Sequence, residues 1–177
     1  MRIIVCAKQV PDTSEVKVDP VKGTIIRDGV PSILNPDDAN ALEEALKVKD
    51  KYPDTVVSVV SMGPPQAKDM LIECLAMGAD EAFLLSDRAV GGSDTWATSN
   101  AITAAIKKMG DFDLIFAGRQ AIDGDTAQVG PQIAGKLDLP QVTYVMDFDI
   151  SEDKKEVTVK RQLEDGYELI KVNTLSL

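Results

Sequence analysis

The sequence contains no histidine. That absence removes serine–histidine and cysteine–histidine nucleophile systems, and with them most catalytic zinc sites, because each depends on an imidazole. Cysteine is nearly as scarce. Cys6 and Cys74 stand far apart in the apolar segments VCA and IECLA, where small buried residues are expected and a disulfide is not. Basic residues are outnumbered, nineteen against twenty-nine acidic ones, for a net charge of −10. This balance argues against a nucleic-acid surface, which needs a clustered basic face. Ordinary surface solubility accounts for the acidity. Long apolar runs are missing as well: the one in MRIIVCAK is too short for a signal peptide, and no stretch approaches a membrane span. A reducing, cytoplasmic setting is the expectation.

What is present suits one soluble domain over residues 1–177. The chain is 44% hydrophobic and 27% charged, enough apolar material for a sizeable core. Ile3 to Ala7 is an apolar run of the kind that forms a strand buried on both faces. Between Pro11 and Pro31 the chain is polar and turn-rich, with TIIRDG suggesting a short hairpin edge. Asn35-Pro36-Asp37-Asp38 opens a helix: proline holds Asn35 extended, and the aspartates suit the helix's positive end. Leu42, Ala45 and Leu46 form its apolar stripe.

The pattern repeats. Thr55 to Met62, Glu81 to Leu85 and Asp113 to Gly118 read as further buried strands. Between them fall a helix with Leu71, Cys74 and Leu75 on one face and another with Ile102, Ala105, Ile106 and Met109 aligned, capped by Ser93 or Asp94. Strands alternating with helices at this spacing predict an α/β fold: a doubly wound, mainly parallel, Rossmann-like sheet with helices on both faces, over residues 1–140. Residues 141–177 change style. QVTYVMDFDI, EVTVKRQL and YELIKVNTL alternate apolar and polar residues around SEDKK and EDG, which predicts half-buried antiparallel strands joined by tight turns.

In such a sheet, ligands bind beyond the carboxyl ends of the strands. The loops leaving those ends are Ala7-Lys8-Gln9, Ser61-Met62-Gly63, Ser86 to Gly92 and Gly118 to Val129, with the Asn35-Pro36-Asp37 turn within reach. The segment GRQAIDGDTAQVG, Gly118 to Gly130, has the parts of an anion cradle. Gly118 and Gly124 allow close backbone approach, amides precede a helix, and Arg119, Thr126 and Gln128 can donate to phosphate or ribose oxygens. Asp125 and Gln128 also have capping-box spacing, although Pro131 favours a helix start at Gly130. The loop matches neither GxGxxG nor GxxxxGK[ST]. The aspartate pairs Asp37–Asp38 and Asp123–Asp125 read as helix-start chemistry more naturally than as magnesium ligands. No nucleophile stands beside a base, so the chain reads as a binder and not a catalyst.

VCAKQVPDT, LNPDDANALEEAL, SMGPPQAKDMLIECLAMGADEAFLLSD and GRQAIDGDTAQVGPQIAGKLDLPQVT together resemble the beta subunit of electron transfer flavoproteins. The resemblance is colinear over essentially the whole chain. It implies an electron carrier that works as a heterodimer with an alpha subunit, between acyl-CoA or other dehydrogenases and an acceptor. In ordinary members the beta subunit holds AMP; in the electron-bifurcating members it holds FAD, and RAVGGSDTWATSNA looks like the latter, anaerobe type. Carried over by position, Ala7, Asn35, Pro36, Asp37, Met62, Gly118, Arg119, Gln120, Ala121, Ile122, Asp123, Gly124, Asp125, Thr126, Ala127, Gln128 and Val129 would line the cofactor, the loop aspartates accepting hydrogen bonds from ribose or ribityl hydroxyls. No metal and no catalytic residue is implied. Family members continue past the point where this chain stops, so their dehydrogenase-docking segment is expected to be absent here. Two other readings stay open: a stand-alone adenine-nucleotide-binding or sensor domain, and an ATP pyrophosphatase, whose SGGxDS phosphate loop VGGSDT (Val90 to Thr95) resembles.

Overall fold

The computed structural model describes residues 1–12, 17–18, 25–26 and 31–174. Four parallel strands form its centre: β1 (Arg2–Cys6), β6 (Val56–Met62), β7 (Glu81–Leu85) and β8 (Leu114–Ala117), in the order β7-β6-β1-β8. Short pieces precede the first helix. β2 (Gln9–Pro11) pairs antiparallel with β5 (Ser32–Leu34), and β3 (Lys17–Val18) pairs with β4 (Ile25–Ile26). Ile25–Ile26 belongs to the expected TIIRDG edge; the rest of that segment lies outside the described residues.

Helices α1 (Pro36–Lys51), α2 (Ala67–Met77), α3 (Thr95–Met109) and α4 (Val129–Leu137) connect the strands. Alternation along β1 explains why the sheet is covered twice. Ile3 and Val5 face one core with Leu42 and Ala45 of α1 and Met70, Leu71 and Cys74 of α2. Ile4 and Cys6 face the other, with Ile102 and Ile106 of α3 and Ile133 of α4. A strand buried on both faces must be apolar at consecutive positions, and Ile3 to Cys6 are. On α2 the expected stripe is rotated: Met70, Leu71 and Cys74 are buried, whereas Leu75 is exposed, because the helix packs through its Ala67–Met70–Cys74 side.

A three-stranded antiparallel sheet, β9 (Val145–Ile150), β10 (Glu156–Leu163) and β11 (Gly166–Asn173), follows in the order β11-β10-β9. Ile150, Val157 and Val159 from its inner face join the core on the α1 side. Phe148 meets Phe116 of β8 edge to face at 5.3 Å, and the Tyr52 hydroxyl donates to the Ile150 carbonyl at 3.2 Å. SEDKK and EDG connect the strands as anticipated.

Candidate nucleotide cavity

The strand order reverses direction between β1 and β8: the chain winds outward from β1 through β6 to β7, then returns to the other side of β1. Loops diverge at such a point, and a crevice opens beyond the strand ends. A cavity of about 1210 Å³ lies there. All four rim loops contribute, through Ala7 and Lys8, Met62 and Gly63, most residues between Ser86 and Ser93, and most residues between Gly118 and Gly130.

The N-terminus of α4 forms part of its wall. Gln128 occupies the cap position without a side-chain cap bond. Its amide is committed elsewhere, since Oε1 accepts from Thr95 Oγ1 of α3 at 3.0 Å. Pro131 has no N–H, and the remaining first-turn amides have no partner within the helix. Helix α3 differs, because Asp94 Oδ1 accepts from Ala97 N at 2.8 Å and caps it. An uncapped helix start in a cavity wall, with the exposed Arg119 guanidinium nearby, suits an anion. Asp125 and Ala127 just before it both sit at φ 51, a left-handed conformation that costs an alanine about 1 kcal/mol.

The capping-box expectation for Asp125 and Gln128 is not met. Asp125 Oδ1 accepts from Gln120 Nε2 at 3.0 Å within the loop, and the helix begins at Val129. Asp123 is likewise no helix-start residue, for its carboxylate pairs with Lys8 Nζ at 2.6 Å and ties the loops after β1 and β8 together.

The turn at the start of α1 holds the loop from behind. Asn35 is completely buried; its Nδ2 donates to the Gln120 carbonyl at 2.8 Å and its Oδ1 accepts from Ile122 N at 3.1 Å. Asp37 Oδ2 accepts from Gln120 N at 3.3 Å and stands 3.7 Å from Arg119 Nε. Asp38, also buried, accepts from Lys8 N at 2.9 Å and from Gly118 N at 3.2 Å. Asn35 and the two aspartates therefore do not cap α1 with their side chains; they anchor its neighbours. Gly118 is demanded by this packing, since a Cβ there would lie 2.6 Å from the Asp37 carbonyl carbon and 2.7 Å from Asp38 N.

Burial dominates the titration of the groups at the cavity floor. It pushes Asp38 up to about 7, against the pull of the Lys8 N–H, the Asn35 side chain and the Gly118 N–H. It pushes the Cys6 thiol up to about 12, with the Asp38 charge adding to the effect.

Of the residues expected to line a cofactor, Ala7, Met62, Gly118, Arg119, Gln120, Ala121, Gly124, Thr126, Ala127, Gln128 and Val129 line the cavity. Asn35, Pro36, Asp37, Ile122, Asp123 and Asp125 do not; those with polar contacts shape the loop instead. Lys8 lines it from an expected rim loop, and Cys6, Asp38, Ser93 and Ile133 line it without having been expected to. Their membership depends on how the strands stack, which local spacing does not carry. VGGSDT follows β7, lines the cavity through Gly91, Gly92 and Ser93, and spends Asp94 on the α3 cap. Among the described residues no group of three or more acidic or cysteine side chains converges as a metal site, and no helix is long and apolar enough to cross a membrane.

Comparison with known proteins places this geometry among relatives. Residues 22–176 match the family described as "Electron transfer flavoprotein domain". The chain is 70% identical over 172 residues to the caffeyl-CoA reductase-Etf complex subunit CarD of Acetobacterium woodii, covering 97% of this chain and 65% of that protein. It is 63% identical over 174 residues to the electron transfer flavoprotein subunit beta of Clostridium acetobutylicum, covering 98% and 66%. Protein FixA of Azotobacter vinelandii is 52% identical over 177 residues, covering 98% and 63%. The chain thus spans somewhat under two thirds of the length of the curated relatives it matches.

Proposed function

We propose, on the premise that this chain belongs to the electron transfer flavoprotein family, that it is the nucleotide-holding part of a beta-type subunit and binds FAD in the cavity at the β1–β8 switch point. In this reading it carries electrons between dehydrogenases and an acceptor as a heterodimer with an alpha subunit. The observation that carries the reading is the joining of all four rim loops and the uncapped start of α4 around one continuous cavity.

The residues present fit such a group. First-turn amides of α4 and Arg119 would face the diphosphate, while Thr126 and Gln128 Nε2, whose Oε1 is held by Thr95, offer polar contacts to sugar hydroxyls. Ala7, Met62 and Ile133 provide apolar wall. Bound FAD would supply the redox chemistry, and the protein holds and orients it. Lys8–Asp123 and Arg119–Asp37 keep the rim cations placed near the ligand.

AMP is the second reading, supported by the same adenylate-sized features. Cavity size favours FAD: small-ligand pockets run to roughly 300–1,000 Å³, and this one, at about 1210 Å³ and reaching the Ser86–Ser93 segment, has room for more than a mononucleotide. Support for a protein partner comes from the outer antiparallel sheet. Tyr144, Val145, Met146, Leu163, Tyr167 and Leu169 are all exposed on or beside it, and Tyr167 and Leu169 stand two positions apart on the face of β11 turned away from the core.

Two measurements test this. Denaturing the purified chain and separating the released nucleotide by chromatography is expected to give FAD. AMP would select the second reading, and turnover of ATP to AMP and pyrophosphate would overturn both. Co-expression with an alpha subunit is expected to give a yellow heterodimer, and charged substitutions at Tyr167 and Leu169 should weaken it.

A further inference from the structure

Asp38 has no role in the binding scheme above, yet it lies in the cavity wall and is only 7% exposed. Its two oxygens accept the backbone N–H groups of Lys8 and Gly118, and it takes part in no ion pair among the described residues. The nearby cations are engaged elsewhere, Lys8 Nζ with Asp123 and Arg119 with Asp37. A buried carboxylate with neutral donors and no counter-ion is costly to keep charged.

Apart from Lys8 and Arg119, both paired with other carboxylates, and the positive end of α1, the surrounding side chains offer a charged Asp38 no support. On α1, Asp37 adds a second negative charge. On β1 and α2, Cys6 and Cys74 are thiols pushed up to about 12 and about 11, so both stay neutral. Strands β6 and β8, VVSVVSM and LIFA, carry no ionisable side chain. An anionic ligand entering the same cavity adds negative charge near Asp38, whose own partners are neutral N–H groups and not a cation.

We propose that Asp38 is the proton-linked residue of this site: it takes up a proton when an anionic nucleotide enters the cavity, and so couples nucleotide affinity to pH. The inference rests on the nucleotide reading of the cavity. Balance requires one proton from solvent per Asp38 neutralised, with no bond formed or broken in the ligand.

The direction follows from linkage. Burial already holds the Asp38 carboxyl near neutrality, at about 7, and the ligand's charge raises it further. Affinity is then greatest where Asp38 is protonated before binding and falls as pH rises above that value, by at most about tenfold per pH unit. Asparagine in place of Asp38 imitates the protonated state and should keep acid-side affinity at all pH values.

FAD is the probe, because its diphosphate stays ionised throughout this range. Titration calorimetry of FAD into the full chain, in two buffers of different ionisation enthalpy, reads proton uptake directly. The expected result is up to one proton taken up near neutrality, and none in Asp38→Asn, with a flat affinity profile in the variant. FAD binding to the wild type without proton uptake, or a pH profile shared by Asp38→Asn, overturns the proposal and leaves the nucleotide reading standing. Failure of both FAD and AMP to bind overturns the nucleotide reading and this inference with it. Should Asp38→Asn not fold, the Asp38 carboxyl signal in the wild type decides by NMR titration: its midpoint must rise when FAD is added.

Discussion

Replacing Asn35 tests whether the turn before α1 shapes the cavity loop. In Asn35→Ala, the Gln120 carbonyl and the Ile122 N–H lose their partners at 2.8 and 3.1 Å, while the backbone bonds of residue 35 remain. Each buried group left without a hydrogen bond costs about 1–3 kcal/mol, which sums to roughly 2–6 kcal/mol. Both loop residues are only partly buried, so water can enter the space and the lower half, about 2–4 kcal/mol, is expected. Asn35→Asp sharpens the test. It keeps the acceptor for Ile122 N, turns an oxygen toward the Gln120 carbonyl, and sets a third carboxylate beside Asp37 and Asp38. It should therefore be at least as damaging at neutral pH and recover partly in acid.

Urea unfolding reads these differences. With a slope of about 1–3 kcal/mol per molar, the midpoint should fall by roughly 1–2 M in Asn35→Ala. Amide hydrogen exchange at Ile122 should accelerate in the same variant. A midpoint shift below about 0.3 M with Ile122 exchange unchanged would refute the reasoning, because the two side-chain bonds would then hold nothing.

Three further outcomes follow from the same packing. Gly118→Ala drives a methyl group into the backbone of Asp37 and Asp38, so it should cost about 1–3 kcal/mol or more and lower the thermal midpoint by roughly 2–4 °C per kcal/mol; an unchanged midpoint in calorimetry would contradict the tight approach. Cys6, pushed up to about 12, should alkylate about a thousandfold more slowly in the native chain than in urea near pH 8, and equal rates by mass spectrometry would show that the thiol is not buried. Asp38 is raised above its unfolded value, so the stability it contributes is present in full below about pH 4 and is lost as pH rises through about 7. Relative to Asp38→Asn, the wild type should therefore lose a few kcal/mol across that window, at about 1.4 kcal/mol per pKa unit, and parallel pH–stability curves from denaturant melts would rule this out.

Much of the fold was legible because its strands carry unmistakable patterns. The near-continuous apolar runs IIVC and VVSVV suit strands covered on both sides, and the alternation of EVTV, broken at Arg161, suits a half-covered sheet. The rim loops followed from that topology. Less legible was what their polar residues do. Asp123 and Asp125 have the spacing of helix-start residues, yet one pairs with Lys8, 115 positions away, and the other with Gln120. Asn35 reaches residues 85 and 87 positions away. Local spacing describes what a side chain can do with its own backbone, whereas these bonds exist only because β1 and β8 lie side by side. The Leu75 error has the same origin: the expected stripe of Leu71, Cys74 and Leu75 has helical spacing, and the packing of α2 on the sheet turns it toward Met70.

The most direct test of the account is amide hydrogen exchange across the chain with and without FAD. Slowed exchange is expected at Gln128, Val129 and Gly130 at the start of α4, at Ala7 and Met62, and in the Ser86–Ser93 segment. Saturating FAD that leaves those amides unchanged, or that protects only the β9–β11 sheet, would contradict it.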